Sequence, residues 1–581
     1  MASLFVALML IPVLTSKFLK VEMVCDTPEK VAQTKPWLRY FAQWHCSFSE
    51  WLEGLTELYQ RVLHYALQHR KKIIWLTLGF AFLTLFLMPF IGMEFIPNAD
   101  AGQISIKFKA PIGTRLDESN KMLKQLEEII RKNVPEVEDS YARLGIEGEG
   151  MGGMASIFGG ITGSHAGQMT LKLVNKTKRH RSTAEVLEAL RPLVARIPGA
   201  DIKLSEQQGM GAMSGGAPVQ VEVQGYDLEI GRDLSQRVAA LVKSVKGARD
   251  VEISREEGLP EFQLSINRTR AAALGLSVAQ VASAIETSMA GKVVSIFRDP
   301  LKGKEYNILV RYQEKDRASL RDLDRIYILS NTGVKIPASN VATIRQGSGP
   351  ATIDRKNQDR IITVNAQVSG RAPGDVAAEI ERRIRTEISG PNSFTVKVAG
   401  TYQDMTDAFK NLLFALGLAI LLIYMVLVAQ FESLMDPFII MFAVPLGVVG
   451  VIWGLFLTGH TLSTVSFLGI IMMAGIVVSN SILLVDYTNI LRRRGVALRD
   501  AVVQAGRTRL RPIIMTTLTT ILGMLPMALG WGEGGETEAP MAVAVIFGLS
   551  LSTVLTLVVI PVIYTLMEER FKPVKAKTAK A

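Results

Sequence analysis

Residues 463–494 read STVSFLGIIMMAGIVVSNSILLVDYTNILRRR. The first charge after Ser463 is Asp486, so the stretch exceeds the about 20 uncharged, mostly apolar residues that a helix needs to cross a bilayer. It closes on Arg492, Arg493 and Arg494, the cationic flank of a cytoplasmic helix end. A membrane span with a polar step at Ser479, Asn480 and Ser481 follows, and it sets how the rest of the chain is read.

The same criterion finds 437–458, 513–531 and 540–566, which carry no Asp, Glu, Lys or Arg, and 73–91 and 410–429. An apolar run at 2–14 is too short to span and is flanked by Lys17 and Lys20. A signal peptide competes for this run, but it wants its charge before the apolar stretch and here the charge follows it. The chain has 581 residues and a net charge of +11, with mean hydropathy +0.25. Between 93 and 405 the composition is that of a soluble protein. A purely soluble enzyme, a disordered chain and a collagen-like fibre are excluded. Cys25 and Cys46 make neither a disulfide framework nor a four-cysteine metal site and are expected to be reduced bystanders.

Orientation follows from the basic clusters. Arg70, Lys71 and Lys72, then Arg492 to Arg511, then Lys572 to Lys580 fall on one side if the spans alternate, and that side is the cytoplasm. The opposite loops hold His460 and the acidic Glu533, Glu536 and Glu538. This placement explains the positive charge without nucleic acid. Residues 93–405 then lie outside the cytoplasm.

That insert alternates strand and helix patterns: strands near 103–109, 138–144, 168–174, 201–205, 219–224, 249–254, 261–266, 292–297, 304–312, 361–368 and 394–399, with helices between them. Small mixed sheets with helices on one face are expected, an α+β arrangement. No P-loop, G-x-S-x-G or H-E-x-x-H occurs, so no enzyme chemistry and no ATP site is read. The run GIEGEGMGGMASIFGGITGSHAG at 145–167 is too glycine-rich for a strand or helix and reads as a loop. Met151, Met154 and Phe158 make it either a soft wall of a hydrophobic path or a plain surface loop. Its methionines with His165 would suit a soft metal, but the spacing is not specific. A second run at 208–216 reads as a linker.

Six stretches carry a family resemblance: FVALMLIPVLTSKFLK at 5–20, EFIPNADAGQ at 94–103, NRTRAAALGLSVAQV at 267–281, VLVAQFESLMDPFIIMFAVPLGVVG at 426–450, GIVVSNSILLVDYTNILRRRG at 475–495 and RLRPIIMTTLTTILGMLPMALG at 509–530. In these the chain resembles the C-terminal half of a resistance-nodulation-division (RND) efflux permease of the acriflavine-resistance type. The resemblance implies a polytopic α-helical membrane protein with a large α+β periplasmic insert, six full transmembrane helices and one partial N-terminal helix. The division it implies is 1–16 as the end of a truncated span, 17–72 as a cytoplasmic amphipathic linker, 73–92 as a span, and 93–206 as the first porter subdomain. Residues 207–266 with 346–400 follow as the second porter subdomain, 267–345 as a docking domain, 401–567 as five spans, and 568–581 as a basic tail. It further implies a homotrimer in the bacterial inner membrane that works with a periplasmic adaptor and an outer-membrane channel. It would be driven by the proton-motive force with no cofactor and no resident metal.

Gly145–Gly167 falls at the family's switch loop, which makes Met151, Met154 and Phe158 the expected substrate-lining residues. Asn480, Arg509 and Thr516 match polar positions of the family's proton relay, and Ser479 stands where the family has a relay lysine. The chain is about half the family's length and lacks the relay aspartates of the other half. An N-terminal half is therefore expected as partner, and Met1 is not expected to be the natural start of a whole transporter. The rival readings are a heavy-metal exporter of the same superfamily and a non-transporting accessory half.

Overall fold

The structure, a computed structural model, describes residues 6–18, 36–97, 100–146, 163–206, 217–255, 258–317, 322, 326–330, 333–349, 353–388, 391, 393–532 and 534–571. A short π-helical turn, Val6–Leu10, leads into α1 (Ile11–Phe18). Much of the segment read as a linker is one 33-residue helix, α2 (Pro36–Gln68), and α3 (Arg70–Leu85) follows directly after His69. Tyr59, Leu63, Ala66 and Leu67 bury one stripe of α2 at helical spacing.

The insert opens with β1 (Gln103–Lys109), α4 (Leu116–Asn133), β2 (Val137–Ile146), β3 (Gly163–Leu173), α5 (Thr183–Val194) and β4 (Asp201–Glu206). The strands order as β2-β3-β1-β4. Ile104, Ile106 and Phe108 alternate onto one face and are fully buried, because Leu123, Leu126 and Ile130 of α4 and Val186, Leu190 and Val194 of α5 cover them. Ser182 and Glu185 close a capping box that fixes where α5 begins.

The second sheet starts with β5 (Val219–Gln224), α6 (Leu228–Ser244) and β6 (Ala248–Ile253). A satellite intervenes: β7 (Leu259–Ile266), α7 (Arg268–Ala273), α8 (Val278–Met289), the hairpin β8 (Lys292–Asp299) with β9 (Lys304–Val310), the hairpin β10 (Tyr327–Leu329) with β11 (Lys335–Pro337), and β12 (Ala342–Gly349) paired to β7. The chain then returns through β13 (Asp354–Lys356), β14 (Asp359–Val368), α9 (Pro373–Glu387) and β15 (Thr395–Ala399). The resulting order β6-β14-β5-β15, with β13 also against β14, repeats the order of the first sheet. Both are split β-α-β sheets.

Two expectations fail in the insert. Its described ladders are antiparallel rather than mixed, because a third strand inserts between the two joined by the crossover helix. β3 also begins inside the glycine-rich run, at Gly163 with φ +111°. Ladder bonds to β2 and β1 hold residues that glycine content alone assigns to a loop.

Beyond the insert lie α10 (Thr401–Phe431), α11 (Met435–Met441), α12 (Ala443–Thr458), α13 (Thr464–Arg493), α14 (Leu498–Ala528) and α15 (Gly535–Phe571). Six described helices are long and apolar enough to cross a membrane: Arg70–Phe90, Thr401–Phe431, Met435–Thr458, Thr464–Arg493, Leu498–Ala528 and Gly535–Arg570. The break at Phe442 between α11 and α12 has a direct cause, since Pro445 cannot donate to the carbonyl of residue 441. α14 starts well before 513, so Arg499, Arg507, Arg509 and Arg511 sit on helix rather than in a loop. Arginine is a good helix former, and nothing between 498 and 511 breaks the run.

α12, α13 and α15 pack as the centre of the block. A Cβ at Gly450 would stand 2.6 Å from the Phe547 carbonyl oxygen, and one at Gly469 would stand 2.8 Å from that of Met541. Glycine lets these backbones meet. At Gly475 and Gly523, by contrast, nothing lies within 4 Å of the Cβ position.

Candidate functional site: a polar seam and its junction to the insert

Inside the helical block one polar side chain reaches two neighbours. Asn480 of α13 is buried; its Nδ2 donates to Thr517 Oγ1 at 3.5 Å, and Thr516 Oγ1 donates to Asn480 Oδ1 at 3.4 Å. Thr517 Oγ1 also meets Thr553 Oγ1 of α15 at 3.2 Å. The seam thus crosses α13, α14 and α15. The Asn480 bonds are long, which leaves the amide loosely held. Buried Ser552, whose hydroxyl has no hydrogen-bond partner, and Thr556 continue the polar stripe along α15.

The four residues expected at the relay are only partly brought together. Asn480 and Thr516 meet. Ser479 is exposed on the outer side of α13 and Thr516 is exposed on α14, so both border a face that no described residue covers. Arg509 lies seven residues before Thr516, about 10 Å along the helix. Its guanidinium stacks over Tyr487 at 4.8 Å, and its Nε is buried without a hydrogen bond. Met151, Met154 and Phe158 lie outside the described residues.

A second polar group sits at the arginine-flanked ends of the helices and was missed from sequence. Asp436 is 6% exposed and accepts from Asn489 Nδ2 at 3.0 Å; Tyr564 Oη donates to Asn489 Oδ1 at 2.6 Å. Arg492 pairs with Glu568 at 3.0 Å nearby, and Arg70 grips Glu569 at 2.7 and 3.0 Å. Asp436 stands one residue before the 437–458 stretch, so a search for charge within spans passes over it. Thr553 and Ser552 were the other omissions. A run of hydroxyls on an otherwise apolar span was the available signal.

The opposite end is stitched to the insert. Leu462 N–H donates to Gly92 O at 2.9 Å, Glu94 N–H to Leu462 O at 3.2 Å, and Thr464 N–H to Phe95 O at 3.1 Å. The first turn of α13 is therefore bonded into the strap that leads to β1. Burial pushes the Glu94 carboxyl up, against a hydrogen bond from Thr461 that draws it down. Asp100 accepts from Arg179 and Thr183, while its own N–H donates to Glu536 Oε2 at 2.8 Å. Burial opposes the Asp100 charge, but the bonds from Thr183 and Arg179 outweigh it and hold the carboxyl below its usual range. Lys176 also pairs with Glu536. The start of α15 is thereby clamped to the first sheet.

Long apolar helices around a buried hydroxyl and amide seam, bonded into a pair of split β-α-β sheets, define a polytopic membrane permease. A family model described as the AcrB/AcrD/AcrF family matches residues 1–568, and the chain belongs to that family, whose members are RND permeases. The cobalt-zinc-cadmium resistance protein CzcA of Cupriavidus metallidurans is 31% identical over 493 residues, covering 83% of this chain and 45% of that protein. The multidrug resistance protein MdtC of Yersinia pestis bv. Antiqua is 27% identical over 521 residues, covering 89% and 49%. A crystal structure of a heavy metal efflux pump superposes with TM-score 0.76 at 27% identity, covering 89% of this chain and 52% of that one. The chain spans about half the length of the curated relatives it matches.

Proposed function

We propose that the chain is the C-terminal half of an inner-membrane RND efflux transporter, exporting drugs and other amphipathic compounds from the periplasmic side by proton antiport. The observation that carries the reading is the seam. Asn480, Thr516, Thr517 and Thr553 place loosely held polar groups at the meeting of three spans, where hydroxyls and amides are costly unless used. None of them is a proton carrier near neutral pH. Ser479 and Thr516 border an uncovered face, and an N-terminal half supplying the titrating carboxylates would cover it. In this reading Asn480 and Thr516 orient the partner's proton-binding groups, Ser479 offers a hydroxyl in place of a lysine, and Arg509 sits at the cytoplasmic end of the path.

The insert divides as 93–206 and 207–266 with 346–400 for two porter subdomains, and 267–345 for a docking domain. Met151, Met154 and Phe158 line the substrate path on the switch loop. The assembly is a homotrimer with an adaptor and an outer-membrane channel. A heavy-metal exporter is the second reading, favoured by the likeness to CzcA and to a heavy metal efflux pump.

The test is ethidium accumulation in a pump-deficient bacterium expressing this chain with and without a matching N-terminal half and adaptor. Protonophore-sensitive export that needs both halves, and that Asn480→Ala abolishes with the protein still in the membrane, is the expected result. Export without the other half, or export untouched by Asn480→Ala, overturns the assigned role.

A further inference from the structure

α14 shows three sides of different chemistry. Gly506, Leu510, Ile513 and Thr517 bury one side in the block. Thr516, Thr519 and Gly523 make a small, hydroxyl-bearing side that borders the seam. The third side is a stripe. Arg507, Arg511, Met515, Leu518, Leu522 and Leu525 recur at i, i+4, i+8, i+11, i+15 and i+18, and each is exposed. The stripe lies about 130° round the helix from the buried side, turned away from α13 and α15.

The order of residues along the stripe matches the order of groups in a phospholipid. Two guanidiniums one turn apart stand just before the uncharged stretch that begins at Pro512. Four large apolar side chains then run on for about 15 Å into that stretch. Asp500, the one acid of α14, lies on the same side but about 10 Å before Arg507 along the axis, so it leaves the pair of arginines cationic.

α2 marks the same depth independently. Tyr59 of α2 lies against Gly506, where a Cβ would stand 2.6 Å from its hydroxyl oxygen, and that hydroxyl donates to Leu557 O at 2.9 Å. α2 therefore crosses α14 beside Arg507. Besides its buried stripe it exposes Trp51, Leu58, Val62 and Tyr65, again at helical spacing. Tryptophan and tyrosine on an exposed apolar stripe suit the headgroup layer of a bilayer, where an apolar ring and a polar tip are both satisfied.

We propose that Arg507 and Arg511 hold the phosphate of an acidic phospholipid whose acyl chain lies along Met515, Leu518, Leu522 and Leu525. The arginines supply bidentate, charge-assisted hydrogen bonds, and the apolar stripe supplies the contact that a free phosphate lacks. A zwitterionic lipid offers the same phosphate with its charge cancelled by the headgroup cation, so the site favours a lipid of net negative charge. The site goes beyond the efflux reading and does not depend on it, and its test needs no transport.

The purified chain in non-ionic detergent is titrated with dioleoylphosphatidylglycerol and with dioleoylphosphatidylcholine, and bound lipid is counted by native mass spectrometry. The wild-type chain is expected to retain phosphatidylglycerol severalfold more strongly. R507Q/R511Q should bind it about tenfold more weakly, the scale of two lost arginine contacts at a headgroup surface. R507K/R511K keeps the charge and should keep most of the preference, which misfolding would not allow. R493Q/R494Q removes as much charge from the exposed end of α13, off the stripe, and should leave the preference intact. Inorganic phosphate at the same concentration should not displace the lipid. No preference in the wild-type chain, equal loss in R507Q/R511Q and R493Q/R494Q, or displacement by inorganic phosphate overturns the proposal.

Discussion

The first and second sheets of the insert share one strand order and part company on their open faces. In the first, Lys107, Arg143 and Lys203 stand in one cross-strand row, and Lys109 in the next row pairs with Glu252 of the second sheet. In the second, Glu222 is 4% exposed, sits opposite Lys397 in register and has Lys356 Nζ 2.6 Å away, so a buried carboxylate lies between two lysines of its own sheet. Both cores follow one rule, alternate apolar strand residues under two helices, and that rule fixes the fold. The open faces are free of it and carry what distinguishes one copy from the other: a buried carboxylate between two lysines in the second, and a cross-strand row of cations in the first.

The shared half of this comparison breaks first under core substitution. Leu126→Ala in the first sheet's cover and Leu234→Ala in the second's should each lower local stability by about 3 kcal/mol, since both are almost wholly buried. Amide hydrogen exchange in β1 and β5 reads the loss; a marked inequality would end the claim of equivalent cores. The open faces come next. Glu222→Gln should cost about 1–2 kcal/mol by leaving two lysines around a buried amide. Lys107→Gln should stay within about 0.5 kcal/mol, and the reverse order would exchange the roles of the two faces.

Acid sharpens the contrast further. The Glu252 carboxyl is depressed in the fold, so its contribution is fully present above the ordinary value of 4.5 and is lost as pH falls below it, through the folded value. Exchange protection at the β6 contact with β1 and β4 should drop in that window and hold steady from pH 5 to 8. Loss near neutral pH would show that another group joins the sheets. A comparably small effect belongs to the membrane block: Thr517→Val should cost about 0.6 kcal/mol, the scale of one interhelical hydrogen bond in a membrane. A cost of several kcal/mol by detergent melting would make the seam an architectural element.

The membrane helices were legible because an uncharged run of this length has few other uses. Their ends were not: α14 continues through four arginines, and Asp436 lies just outside the apolar stretch whose end it holds. The strands of the insert were legible one by one from alternation, but their order was not, since period-two patterning says which face is buried and nothing about which strand is neighbour. Gly163–Gly167 shows the same limit, where long-range ladder bonds override local composition. At the seam, Asn480 and Thr516 were named and do meet, whereas Thr553 went unnamed because it differs from its neighbours only in the helix face it occupies. Ser479 adjoins Asn480 in sequence and lies on the exposed side, a difference that 100° of helix rotation makes and residue type does not reveal.

The most direct test of the account is a susceptibility panel in a pump-deficient bacterium carrying this chain, its N-terminal half and the adaptor. The panel holds anionic aromatic compounds, cationic amphiphiles, and salts of zinc, cobalt and cadmium. The account predicts resistance to the organic compounds only when both halves are present. Resistance confined to the metal salts, or none with both halves confirmed in the membrane, would contradict it.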